Sequence, residues 1–424
     1  MSQAIITLIV LAVMAVGFVT EILPLAVISI GGAFVLSLFG IVQKTDVFSA
    51  AAGSTCILLA ATMIIGGAIF HSGLADKLSK KIVRVTGTTE NGIMLATMFV
   101  ALTFSSVCSG TSVVAMMLPI VIAMSMQAGV SISRQMIVLS FASSIGCNLT
   151  LVGAASNVST AGMIEEMGIE FLSFFELGKV GLPLCIAFAV YFMTIGKKTL
   201  RNPRPVNQEY LDDLVATSGG EANFSKKKAT ITAVILIITF AAMAADNKSF
   251  PMYYIAALGC LILILTGCLT TKEAARAVDW DTIFIVTGMS AVTKAMTASG
   301  AGAMIANAVT RILGSSPNKV IVLLVFLLIT IFLTNLMMNT STVLLVTPLF
   351  IPIAVSIGMN PVAAGVAICV GASSPFLTPV GSPTNTLVVK PGNLQFMDFF
   401  IPGLGLTILS VVISMIVIPI FWPL

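Results

Sequence analysis

His71 is the only histidine in 424 residues, and charged side chains make up only 9% of the chain. An imidazole-based metal centre therefore has no ligand set, because the seven cysteines are scattered through apolar sequence without a CxxC pair. The same scatter gives no disulfide framework. An enzyme working inside apolar surroundings would need a nucleophile facing a base, or facing metal ligands, and one histidine with no acidic pair inside an apolar run excludes that arrangement. The net charge of +4 is too small, and its lysines and arginines too dispersed, for a nucleic-acid surface. Residues 1–20 lack the basic start of a removable leader and run into a second apolar stretch, so the first helix is expected to stay.

What the chain has instead is apolar length. Hydrophobic residues are 58% of the total, and runs of about 17 to 23 of them, rising about 1.5 Å per residue, cross a hydrocarbon core of about 30 Å. Ten such spans are expected, over 3–20, 23–42, 53–72, 134–151, 173–195, 229–245, 252–270, 281–299, 360–377 and 399–421. Two longer stretches, 91–128 and 318–357, are interrupted midway by small polar residues and read as helical hairpins. The expected fold is an all-α, multi-pass protein of the cell membrane whose only general partner is lipid.

Positive charge sets the orientation. Lys77, Lys80, Lys81 and Arg84 share one connector; Lys197, Lys198, Arg201, Arg204 and Lys226 to Lys228 share another, and both are expected in the cytoplasm. Glu165, Glu166 and Glu170 mark a turn on the other side. This orientation puts residue 1 outside. Five crossings then precede the linker, so whatever copy follows is inverted.

A copy does follow. With a shift of about 225 to 229, Pro119 meets Pro348, Gly153 to Asn157 meets Gly381 to Asn385, His71-Ser72-Gly73 meets Ala298-Ser299-Gly300, and Phe174-Phe175 meets Phe399-Phe400. The organisation expected is a first inverted repeat over 1–200 with hairpin 91–128 and broken helix 134–167. A cytoplasmic linker over 201–228 follows, and then a second repeat over 229–424 with hairpin 318–357 and broken helix 360–395. Each repeat has five spans, one of them broken, and one re-entrant hairpin, the plan of many secondary transporters. The linker, with Pro203, Pro205, Gly219 and Gly220, reads as a flexible join.

The interruptions are where chemistry can sit. The hairpin tips read Thr103 to Ser112 and Leu333 to Thr342, rich in Ser, Thr and Asn, which compete with helical hydrogen bonding. A turn there aims helix N-termini, with free N–H groups and positive dipole ends, at the middle of the membrane, where they suit an anion. The breaks at Gly153 and Gly381 expose carbonyls beside hydroxyl and amide oxygens, a donor set for a hard cation. The alternatives from the residues alone are a mere kink, small-residue packing between helices, or the filter of a channel.

The paired tips with their following prolines, Thr111 through Pro119 and Thr340 through Pro348, resemble those of the divalent anion/sodium symporters. Gly381-Ser382-Pro383-Thr384-Asn385 is similar to that family's Gly-Thr-Pro-Pro-Asn loop, and Gly153 to Asn157 is a more divergent copy. The resemblance implies a homodimer that carries a divalent anion, a C4-dicarboxylate such as succinate, together with Na⁺ by an elevator movement. It places one sodium site on Ser105, Ser109, Gly110 and the Gly153 loop, and the other on Thr334, Met338, Asn339 and the Gly381 loop. It places the anion against Ser109, Gly110, Thr111, Asn339, Thr340 and Ser382. Connectors 74–88 and 300–314 would be its interfacial helices. Gly110 stands where the family has Asn, and Met338 where it has Ser, so each tip lacks one oxygen. Sulfate, arsenite or citrate transport, or anion exchange without a cation, remain alternatives on the same scaffold.

Proton coupling commonly uses an ionisable group inside a span. Glu21, Asp46, Asp246, Asp279, Asp281 and Asp398 all fall at span ends, where they read as solvated caps. Lys294, near a span end, reads as a snorkelling lysine, and His71 as an interfacial residue.

Overall fold

The computed structural model describes residues 2–73, 87, 89–200, 226–245, 249–313 and 317–424. Most of the basic connector 74–88, most of the linker and Asp246 lie outside the described residues. Every regular element among the described residues is helical. The first half holds α1 (Gln3–Thr20), α2 (Leu25–Leu38), a short α3 (Asp46–Ser49) and α4 (Ser54–His71). It continues with α5 (Glu90–Ser105), α6 (Gly110–Ala128), α7 (Ile132–Gly146), α8 (Ala155–Glu166) and α9 (Gly178–Tyr191). The second half holds α10 (Lys226–Ala244), α11 (Met252–Leu265), α12 (Thr271–Ala277), α13 (Trp280–Ala298) and α14 (Ala301–Leu313). Then come α15 (Lys319–Thr334), α16 (Asn339–Ser356), α17 (Pro361–Ala372), α18 (Pro383–Gly392) and α19 (Phe396–Phe421).

Short polar signals start these helices. Thr89, Ser131, Asn318 and Asn360 each accept a first-turn N–H, at the heads of α5, α7, α15 and α17. Among the described residues, seven helices are long and apolar enough to cross a membrane. Their outward faces carry exposed Val13, Ile186, Ile237 and Ile416, which lipid covers favourably. In contrast, α7 and α17 are buried on nearly every side. These two helices and the breaks that follow them form the centre of the molecule.

Features of the two halves recur in pairs. Residues in the left-handed region stand at Gly40 and Gly267, Gly73 and Gly300, Gly129 and Gly358, and Gly168 and Asn393, each pair within the shift of about 225 to 229 that aligns the two halves. Asn157 Nδ2 donates to Cys147 O at 3.0 Å, and Asn385 Nδ2 to Pro375 O at 2.6 Å, ten residues upstream in both cases. Packing follows the same rule: α2 lies on α13 as α11 lies on α4, and α7 on α18 as α8 on α17. Helices α7 and α18 run antiparallel, as do α4 and α13. Ser133 of α7 bonds Gly392 O while Ser140 bonds Asn385 Oδ1, and Cys56 of α4 lies against Thr287 of α13 while Met63 accepts from the Asp279 N–H.

Among the caps and lone charges, one reading needs revision. Asp398, expected to be solvated, is only 5% exposed and accepts the Gln395 N–H at 2.7 Å. Lys294, its side chain 39% exposed, reaches toward its helix end, where its Nζ is 3.1 Å from Asp46 Oδ1 and 3.3 Å from Ser49 Oγ. Glu166 is exposed where α8 gives way to a turn, and it also accepts a hydrogen bond from Ser290 of α13. His71 is at the surface, 3.6 Å from Glu273. Hydrogen bonds from the Thr270 N–H and hydroxyl, with His71 adding to them, hold the Glu273 carboxyl below its usual range.

Candidate functional site

Four helices begin at one place. A cavity of 330 Å³ is walled by the first residues of α6, α8, α16 and α18, and closed on the far side by α4, α12 and the head of α13. The N-caps of α6, α8 and α16 are Ser109, Ala154 and Met338, and none of these side chains bonds a first-turn N–H. Ser382, at the head of α18, caps the Thr384 N–H. Three sets of uncapped N–H groups therefore converge on a common space, with the positive ends of their helix dipoles. Among the described residues, no lysine or arginine lines it, and Asp279 is its one charged residue. That carboxylate is occupied as the cap of α13, accepting the Thr282 N–H and hydroxyl. The cavity's charge preference thus comes from backbone, and it suits a small anion with several oxygens.

The sequence-derived residues are brought together in large part. Ser109, Gly110, Thr111, Gly153, Met338, Asn339, Thr340 and Ser382 all line the cavity. Ser105 and Thr334 do not; both are fully buried at the ends of α5 and α15. Gly381 is also set back from the wall, where an added Cβ would stand 2.7 Å from Thr334 O. The helix breaks begin earlier than the glycine motifs suggested. α7 ends at Gly146 and continues as two short turns, Cys147–Leu149 and Leu151–Gly153, and α17 ends at Ala372. In the second half Pro375 and Pro379 explain this, since proline lacks the donor and crowds the preceding turn. In the first, the Thr150 hydroxyl bonds Ser106 O and Gly181 of α9 packs on Asn148 O.

The two breaks are cross-tied. Ser144 Oγ is 3.2 Å from Thr384 Oγ1, which is 2.9 Å from Ser382 Oγ, and Ser140 donates to Asn385 Oδ1 at 2.6 Å. Residue-by-residue reading missed Ser143, Ser144, Thr62, Thr282 and Cys147, all of which line the cavity. Ser140, Ser143 and Ser144 share one face of α7, a three-four spacing visible in the sequence. Gly110 is a tight position: a Cβ there would meet Ser143 O at 3.2 Å and Thr384 Cγ2 at 3.3 Å. Gly110→Asn is therefore expected to raise the KM for substrate rather than improve binding, because the added side chain displaces this wall.

The oxygens buried behind the cavity differ between halves. Ser105 Oγ, Asn148 Oδ1 and Asn157 Oδ1 have no hydrogen-bond partner. Of the corresponding second-half oxygens, Thr334 Oγ1 lies 2.8 Å from both Ala372 O and Asn339 Oδ1, and Asn385 Oδ1 accepts from Ser140; the position matching Asn148 carries no side-chain oxygen. Oxygens without partners, buried beside an unwound backbone, fit the ligand chemistry of a small hard cation.

The family model described as "Citrate transporter" matches residues 15–343, and one described as "C4-dicarboxylate anaerobic carrier" matches 269–423. The chain is 31% identical over 215 residues to an uncharacterised transporter of Synechocystis, covering 51% of this chain and 33% of that one. It is 22% identical to a sodium-dependent dicarboxylate transporter of Staphylococcus saprophyticus, over 95% of this chain and 83% of the relative. The chain's matches span about a third of the length of the first curated relatives. The solved structure of MtrF from Neisseria gonorrhoeae, described with a class of antimetabolite efflux pumps, superimposes with a TM-score of 0.68 at 13% identity. It covers 100% of this chain and 95% of that one, a likeness of fold alone.

Proposed function

Because the chain belongs to the citrate transporter family, and to the wider divalent anion/sodium symporters it resembles, we propose that it is a secondary carrier of a small di- or tricarboxylate. The observation that carries this reading is the meeting of three uncapped helix N-termini in one 330 Å³ cavity without a basic side chain. A C4-dicarboxylate such as succinate is the first substrate, with citrate second. Carboxylate oxygens would accept from the N–H groups of Gly110, Thr111, Asn339 and Thr340 and from the hydroxyls of Thr111, Thr340 and Ser382.

Sodium is the proposed co-substrate. Ser105, Ser109, Gly110 and the Gly153 loop would hold one ion, and Thr334, Met338, Asn339 and the Gly381 loop another. The partnerless oxygens of Ser105, Asn148 and Asn157 support the first of these sites. Alternating access would follow from two inverted repeats. The hairpins and broken helices slide as a unit along α2, α4, α11 and α13. The antiparallel pairing of α4 with α13 and the paired left-handed residues support this reading. A homodimer is proposed on resemblance alone.

The decisive experiment is uptake of labelled succinate into proteoliposomes under an inward sodium gradient, with potassium as control and citrate or sulfate as competitor. Saturable uptake with counterflow, stimulated by sodium and competed by citrate, is the expected result. Flux that does not saturate would mean a pore, and uptake indifferent to sodium would mean exchange without a cation.

A further inference from the structure

A second cavity, of 210 Å³, lies further along α13 on the same face as the first. Ser54, Thr55, Ser159, Glu165, Glu166 and Ser290 line it. Along α13 the two cavities are successive stations: Asp279 and Thr282 wall the first, Val286 and Ser290 the second. Helix α8 runs beside α13 in the same direction, since Ala155 and Ser156 share the first cavity with Thr282 while Glu166 meets Ser290. Lys294 lies one turn beyond Ser290 on the same face, about 6 Å along the axis, and is held by Asp46 and Ser49 of α3.

We propose that Glu166 is a positioning residue for the transport step, bonding Ser290 when the hairpin tips face Thr282 and Lys294 when they face Val286. This inference rests on the sliding-carrier reading and adds to it the residue that defines where the slide stops. A displacement of one helical turn takes the carboxylate from Ser290 to Lys294, and Lys294 then leaves Asp46. The charges facing Glu166 divide accordingly: Glu165 beside it on α8, Lys294 on α13, and Asp46 competing from α3. Each end state keeps the carboxylate partnered. Between them it loses one bond before gaining the other, so the two positions are discrete rather than a continuum.

The test uses the full chain in proteoliposomes with two cysteine pairs, Glu166→Cys with Ser290→Cys and Glu166→Cys with Lys294→Cys. Met163→Cys with Val286→Cys reports the slide independently. The native cysteines are all buried. Without substrate the 166–290 pair is expected to cross-link on oxidation; succinate with sodium should raise the 166–294 yield about fivefold at its expense, the low end of coupling between sites. Either cross-link should stop uptake until reduced. If the 163–286 pair responds to substrate and the 166–294 pair never forms, the ladder is wrong and the sliding mechanism stands. If no pair responds while uptake proceeds, the sliding reading itself falls, and the ladder with it. Glu166→Gln should shift the ratio of half-saturation constants measured from the two membrane faces about fivefold, and Glu166→Lys with Lys294→Glu should restore it. A merely structural role would give lower uptake with an unchanged ratio.

Discussion

Gly153→Ala is expected to remove saturable uptake, lowering it at least about tenfold, while leaving a protein that still inserts and folds. The added methyl would stand 2.4 Å from Cys147 O and 2.8 Å from Cys147 Cα. Both are backbone atoms of the same unwound stretch, so no side chain can turn away to relieve the clash. Overpacking of this kind costs about 1 to 3 kcal/mol, and here the relief must come from the loop that presents Ala154, Ala155 and Ser156 to the cavity. A shift of about 1 Å in a positioning element can itself cost about 100-fold in rate. Gly381→Ala should act in the same direction, its methyl 2.7 Å from Thr334 O and 2.9 Å from Asn335 Cα. Gly31, in α2, has nothing within 4 Å of an added Cβ. Gly31→Ala should therefore keep full uptake and gain slightly in helix stability. Equal uptake by Gly153→Ala and Gly31→Ala would show that the break is a bend without a role in binding.

Much of this arrangement was legible because duplication and polarity are written in the order of residues. The tips at Ser109 and Met338 could be located since small polar residues interrupt apolar runs, and both stand at the heads of helices lining one cavity. What could not be read is depth. Ser105 and Ser109 belong to the same tip, yet one is fully buried and the other faces the cavity, a difference set by how the chain turns between them. Nor could the cross-ties be read. That Ser144 meets Thr384 and Ser140 meets Asn385 depends on two breaks far apart in sequence lying side by side. Asp398 was read as solvated from its place at an apolar boundary, a rule that assumes each helix faces water at its end. It failed because the head of α19 is buried, with Asp398 5% and Phe399 0% exposed.

Ser105→Ala is expected to raise the sodium concentration for half-maximal uptake about tenfold or more, with little change in uptake at saturating sodium. Counting side chains at the tips argues otherwise, since Gly110 removes an oxygen from the first tip and leaves Asn339 in the second. The buried bonds reverse that weighting. A buried oxygen without a partner costs about 1 to 3 kcal/mol, and Ser105, Asn148 and Asn157, around the first tip and break, each carry one. Sodium bound there would offset that cost, and tenfold in affinity corresponds to about 1.4 kcal/mol. In the second half Thr334 is within 2.8 Å of Ala372 O and Asn339 Oδ1, so Thr334→Val should lose structure before it loses an ion. Melting in detergent separates the two effects. Exchanging potassium for sodium should raise the Tm of the native chain and of Thr334→Val, the latter from a lower starting value, and should leave Ser105→Ala nearly unmoved. A sodium response that survives Ser105→Ala and vanishes in Thr334→Val would place the poised site in the other half, and would make the partnerless oxygens a tolerated defect of packing rather than a ligand set waiting for its ion.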